Sequence, residues 1–422
     1  MLSKYTALLV ALSFTAAVRA GDWPQWRGPD RTGHVPGALE VPSRLPENSS
    51  FDWRIEVGEG FASPVVAGDR VFHLDNQNGR ETLHAVSAAD GEEIWRAELD
   101  DTFRDSQGPP GPRCTPLVDG GRVYAVSCRG RLQCRDVTNG ELIWEVNYVD
   151  DLGAEFIGEK GNAPGASRHG NNGTPVIDGA HLIACAGGTD GAGVVCFDME
   201  NGTVVWKSQN DRAAYAAPVV ATVAGVKQVI CFTVEGVIGL RRDTGGLLWR
   251  VPMTTAYGRH VMTPVVVGDM VVAGSHQVGL TGIRVVRDGD GQKAEEAWVS
   301  RDAAVNFSSP VAVGGRIYGL GPAKNLFCVD VETGELLWSK EGPFASADKA
   351  HAGFVVMGEN VLALTDLGVL ILFRATADEY REVNQLQVSG MTWSNPAYAN
   401  GRLYFRDGIR GTGRLMSLRL TD

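Results

Sequence analysis

The side chains in this 422-residue sequence that could do chemistry gather just ahead of a recurring dipeptide. Short apolar runs open on Ser-Pro, Thr-Pro, Ala-Pro or Asn-Pro. At or before those openings stand Arg113; Arg168, His169 and Asn171; Tyr215; Arg259 and His260; Asn306; Lys349 and His351; and Trp393. Three of the eight histidines fall in this set, two of them directly after an arginine. A polar, partly cationic group of this kind suits an anionic or sugar-like ligand or a peptide. The same side chains would also serve simply to hydrogen-bond loops and channel water. Three imidazoles are enough to ligate zinc, but this spacing is not diagnostic and no metal is expected. No nucleophile elbow, phosphate loop or His-Glu-x-x-His pattern is present.

The seven cysteines divide in two. Cys134, Cys196 and Cys328 recur at one place in a repeat, a small site filled by Ala85 and Gly239 elsewhere, and read as buried small apolar residues. Cys185 and Cys196 would face each other across a hairpin turning at Asp190-Gly191, so a cross-strand disulfide is allowed there. No Cys-x-x-Cys motif exists, and the odd total leaves at least one free thiol.

The elements that must position these residues are strands. In Ser309–Trp338 a Ser-Pro and an apolar run lead to a turn at Gly314-Gly315. The alternating segment RIYGL follows, then NLFCVD, a Thr-Gly-Glu turn, and an apolar segment ending in Trp338. Period-two alternation broken by Gly turns predicts a four-stranded antiparallel sheet, A to D. Copies begin at Ser63-Pro64, Thr115-Pro116, Thr174-Pro175, Ala217-Pro218 and Thr263-Pro264, weakly near Gly353, and at Asn395-Pro396. A recurrence of this length predicts an all-β, eight-bladed β-propeller. The last copy lacks a D strand, and Trp53-Arg54-Ile55 near the start has the D-strand form without a sheet of its own. Pairing it beside 414–420 closes the ring and removes an open edge. The D-strand indoles Trp53, Trp95, Trp144, Trp206, Trp249, Trp298 and Trp338 are expected to stack on Gly-containing turns of neighbouring blades. Each buries roughly 150–250 Å².

Ahead of the propeller (51–422) the sequence predicts a cleavable secretory signal over 1–20, with Lys4, an apolar run and Val-Arg-Ala, then an arm over 21–50. Trp23 and Trp26 on that arm read as plugs for one propeller face or as a clamp beside the closing blade; the alternative is a partner-binding arm. No stretch is long and apolar enough to span a bilayer. The formal net charge of −11, more negative once Lys4 and Arg19 are removed, argues against nucleic-acid binding. No Cys follows Ala20, so the expectation is an unlipidated, monomeric, periplasmic protein. The long connection from Glu145 to Gly173 opens onto the same rim as the candidate residues, as does Gln107–Arg113.

The Asp-x-x-Thr-Gly-Glu-x-x-Trp pattern at Asp330–Trp338, with echoes ending at Trp95, Trp144, Trp206 and Trp249, resembles the repeat of pyrroloquinoline quinone (PQQ) dehydrogenase-like propellers. The opening Asp22-Trp23-Pro24-Gln25-Trp26-Arg27-Gly28-Pro29 is similar to the arm of secreted PQQ-repeat proteins related to the BamB family of outer-membrane assembly factors. The dehydrogenase resemblance implies a quinone held between an indole and adjacent cysteines, with calcium on a Glu, Asn and Asp set. No two cysteines are adjacent and no such set maps by motif, so neither PQQ nor calcium is expected. The expectation is a secreted non-catalytic scaffold whose partners are envelope proteins or a small ligand at the channel rim. The alternatives are a cofactor-dependent quinoprotein oxidoreductase and a carbohydrate- or small-anion-binding module.

Overall fold

A computed structural model describes residues 21–37, 39–106, 110–159, 163–289, 291–346, 350–409 and 411–421. The expected signal segment 1–20 and the rim candidate Lys349 lie outside them. Eight four-stranded antiparallel sheets form one propeller. Blades 1 to 7 take their strands in chain order, over 65–101, 117–147, 176–208, 219–252, 265–300, 311–340 and 352–387. Blade 8 is built from Ala397–Ala399, Arg402–Arg406 and Gly413–Arg419, with Ser50–Val57 as its outermost strand. Trp53 sits opposite Ser417, so the two chain ends close the ring as the repeat count requires.

The registers explain why the repeat looks as it does. In blade 6 a ladder runs Val311, Tyr318, Cys328, Trp338 across the four strands. Blade 2 repeats it as Leu117, Tyr124, Cys134, Trp144. The small C-strand residue is small because it lies directly opposite the indole, which accounts for Ala85 against Trp95 and Gly239 against Trp249. Each indole then reaches the next blade. The Nε1 of Trp53, Trp95, Trp144, Trp206 and Trp298 donates to the carbonyl of Ala88, Val137, Met199, Arg242 and Val331, at 3.0–3.2 Å. The glycine of the receiving turn lies under the ring: a Cβ on Gly140 would sit 2.6 Å from Trp95, and Gly140 has φ +75°. Only a residue without a side chain fits at that approach in that conformation.

Three seams depart from the rule. Trp338 donates to Thr376 O of blade 7 at 2.9 Å, but that turn carries no glycine, contrary to expectation. Trp249 turns to its own blade and donates to Gln228 Oε1 at 2.7 Å, because blade 5 has a long C–D hairpin, Gly279–Asp288 with Gly291–Ser300, in place of the glycine turn. In blade 7 Asn384 stands at the indole position, opposite Leu372. Its amide exchanges two hydrogen bonds, 3.0 and 2.9 Å, with the backbone of Leu45 on the link between arm and closing strand.

The arm is a hub. Trp23 forms a two-bond bridge with Val66 of blade 1, and Pro24 accepts from Val118 of blade 2. Arg31 donates to Thr174 O and Pro218 O, in the A-strand approaches of blades 3 and 4. Trp26 donates to Thr263 Oγ1 ahead of blade 5, and Arg27 to Pro310 O ahead of blade 6. Val35 bonds Val356 of blade 7, and Glu40 accepts from Tyr398 of blade 8. Inner A strands would otherwise leave backbone groups facing the bore; this one segment bonds backbone groups of six blades and a side-chain hydroxyl in each of the other two. The plug reading of Trp23 and Trp26 fits this arrangement.

The Cys185–Cys196 disulfide is corrected. The hairpin does turn at Asp190-Gly191, with Ala192 N bonding Thr189 O, but Gly187 pairs with Gly193 in a wider loop. That offset places Cys196 opposite Ile183 and Val195 opposite Ala184, so the two sulfurs are not across from each other. All seven cysteines are free and buried.

Candidate functional site

The loops that lead into the A strands converge on one end of the bore around a cavity of about 200 Å³. Of the residues expected there, Arg113, Arg168, His169, Tyr215, Arg259, His351 and Trp393 line it, joined by Asn172 and Phe307 from the same loops. Phe61, Tyr257, the arm's Trp26 and the hydroxyl residues Ser63, Thr263 and Ser309 also line it. Phe61 obeys the rule that found the others, since it precedes Ser63-Pro64. Trp26 does not; it reaches the wall from the arm, in keeping with its reading as a plug for one propeller face.

Three expected residues are elsewhere. His260 is fully buried, stacked on Phe232 with centroids 4.1 Å apart, and its Nδ1 lies 2.6 Å from Thr233 O. Burial lowers its pKa, so it packs as a neutral ring. Asn171 turns away from the cavity and donates to Cys128 O at 3.2 Å, and Asn306 is not part of the wall.

The cationic side of the wall is braced from behind. Arg113 donates to Asp105 Oδ2 and to His169 O, both at 2.6 Å, with 3 % and 0 % of the two side chains exposed in the ion pair. His169 Nδ1 lies 3.0 Å from the same carboxylate oxygen, while Arg168 Nε donates to His169 Nε2 at 3.0 Å. The imidazole is therefore held between a carboxylate at Nδ1 and a guanidinium at Nε2. Arg168 lies over the Tyr257 ring at 4.6 Å and Arg259 over Phe307 at 5.8 Å. Tyr257 itself is held at φ 60° and ψ 20°, a conformation costly for a bulky side chain. Phe307 stacks on Trp393 with centroids 5.6 Å apart and planes 14° apart, and Phe61 meets Trp393 edge-on. Burial raises the Tyr215 hydroxyl well above its usual range and lowers His351 to about 3, so both are neutral. The His351 Nδ1 has no partner among the described residues.

Asp105, Glu159 and His169 bring three ligand atoms within 4.8 Å of one another. Asp105 is already neutralised by Arg113, and Glu159 accepts from Ser106 N and Oγ, so the trio reads as loop bracing. A quinone and calcium do not fit this wall either. No carboxylate lines it among the described residues, and Cys114, the cysteine beside it, is buried with its thiol donating to Asn171 O at 3.2 Å.

The comparisons agree with this architecture. Among curated proteins, outer membrane protein assembly factor BamB of Yersinia pestis is 22% identical over 240 residues, 54% of this chain and 56% of the relative. That of Shewanella oneidensis is 23% identical over 275 residues, 61% of this chain and 64% of the relative. The chain thus spans less than two thirds of the length of these relatives. Among solved structures, BamB from Moraxella catarrhalis superposes with a TM-score of 0.59 at 16% identity, over 90% of this chain and 98% of that one. Quinohemoprotein alcohol dehydrogenase from Comamonas testosteroni gives 0.63 at 14%, over 97% and 82%. At such identities these two likenesses speak for the fold alone. The family profile matches residues 47–157 and 165–340, and the chain belongs to the family described as outer membrane protein assembly factor BamB.

Proposed function

We propose that this chain is a secreted, non-catalytic propeller that works as a binding and assembly platform in the cell envelope, with the channel mouth as its working face. The observation that carries this reading is the asymmetry of the bore. The arm occupies the bore from the side of the A–B turns, where Asp22 accepts from Gly68 N, while the mouth offers aromatic rings and guanidinium groups around an open cavity. The expected leader and the absence of a bilayer-spanning helix among the described residues fit export in soluble form. Family relatives that carry the name of an assembly factor support a partner in the envelope.

The test is recovery of envelope proteins from an extract by the immobilised wild-type chain, against a variant carrying Arg168→Ala, Arg259→Ala and Trp393→Ala. At least a tenfold loss of the enriched proteins is expected from removing about 1.4 kcal/mol or more of contact energy. Equal recovery takes the mouth out of the function. Turnover of an alcohol on adding quinone and calcium overturns the non-catalytic reading.

A further inference from the structure

We infer that the mouth binds a hydroxyl-rich carboxylate of about one sugar ring, of the uronic-acid type. This rests on the mouth being the working face and adds what it holds there.

The polar part of the wall is dominated by donors. Ser63 Oγ accepts from Asn395 N at 2.9 Å, Ser309 Oγ from Thr263 N at 3.0 Å, and Thr263 Oγ1 from Trp26 Nε1 at 3.0 Å. Three hydroxyl oxygens are thereby fixed in place by N–H groups, and each keeps its own proton to donate. Arg259 reaches the wall over the Phe307 ring, 5.8 Å from its centroid. Beneath the cavity, Arg27 and Arg31 are buried and bonded to carbonyl oxygens, and Arg31 also to Gln25, with no carboxylate paired to either among the described residues. Two uncompensated buried charges add a positive potential to the bore, felt strongly where water is excluded. An anion is the complement to that field.

The rest of the wall narrows the class. His351, 4 % exposed, has an Nδ1 with no partner among the described residues, and a buried Asn172 Oδ1 is likewise unmet. Both atoms are covered by the wall itself rather than open to the cavity. The stacked Phe307–Trp393 pair supplies an apolar face against which the C–H side of a pyranose can lie. A cavity of about 200 Å³ accommodates one ring. A bare phosphate would use the cations and leave the aromatic face idle. A benzoate-like acid would leave the hydroxyl donors idle.

The experiment is calorimetric titration of the full chain with glucuronate and galacturonate, beside glucose, galactose, inorganic phosphate and benzoate. Saturable uronate binding is expected, at least tenfold tighter than either neutral hexose, phosphate or benzoate. Arg259→Gln should weaken uronate about tenfold or more while Arg259→Lys restores part of it. The unfolding temperature of both unliganded variants should match the wild type, which separates a binding loss from a folding failure. Equal binding of hexose and uronate, tighter binding of phosphate or benzoate, or no saturation by either uronate overturns the inference. Envelope-protein recovery is measured on the same variants: recovery that depends on the mouth, with no uronate bound, sinks this inference and leaves the platform reading standing.

Discussion

The outer seams and the inner mouth of this propeller are made by the same repeat and evolved under opposite rules. At the outside, in five seams an indole on one blade meets a glycine turn on the next in nearly the same geometry, as in Trp53 over Gly91 and Trp298 over Gly334. At the inside, the equivalent loops present a varied set: Phe61, Arg113, Arg168, Tyr215, Arg259, Phe307, His351 and Trp393. Uniformity marks what holds the ring together, and divergence marks where the ring was free to specialise. The mouth is not free throughout, since the buried Arg113–Asp105 pair is as structural as any indole.

The largest expected effects test the seam. Trp53→Ala removes a buried indole from the blade that closes the ring and should cost about 3–5 kcal/mol in a denaturant titration. A loss below about 1 kcal/mol would mean that closure does not depend on the seam. Arg113→Ala should cost a similar amount, about 3–5 kcal/mol, by leaving Asp105 buried without its guanidinium. That result would set Arg113 apart from its neighbours on the wall as a brace for them. Next, Gly140→Ala should destabilise by more than 2 kcal/mol, adding a clash with Trp95 to the roughly 1–2 kcal/mol of a left-handed alanine. Gly120→Ala, at φ +57° with nothing within 4 Å, should show the conformational cost alone.

A smaller effect separates the mouth by pH. The unfolded chain protonates His351 near 6.5, whereas the folded chain resists until about 3. The unfolded state therefore binds more protons in that window, and this group's stabilisation, complete above pH 6.5, is lost as pH falls toward 3. The slope is at most about 1.4 kcal/mol per pH unit. His351→Asn should flatten the acid limb of stability against pH by that share; an unchanged limb would place the titration elsewhere. The smallest effect is expected for Arg259→Ala, within about 0.5 kcal/mol of wild-type stability, since its side chain is only half-buried and braces nothing.

The fold was legible because it is written eight times. Blade count, strand order and the borrowed strand all follow from Pro openings, Gly turns and terminal indoles, and Trp53 beside Ser417 is where the counting puts it. The mouth was legible only as a set of loops. Sequence order cannot say that His260 rotates onto Phe232 while His351 stays on the wall, because that choice is made by packing between blades. Asn171 and Asn172 are neighbours with opposite orientations for the same reason. The misplaced Cys185 pairing came from assuming an unbroken ladder, and the irregular pairing of Gly187 with Gly193 is invisible to a count of residues from the turn.

The arm that touches every blade has one more consequence. A seven-residue stretch from Trp26 to Thr32 fans its side chains to blades 3, 4, 5 and 6 at once, so its reach is matched to one circumference. A copy of a blade spliced in or cut out would leave some sector of the wheel with no spoke. The leading segment thus acts as a template that admits one number of sectors, although those sectors are made after it.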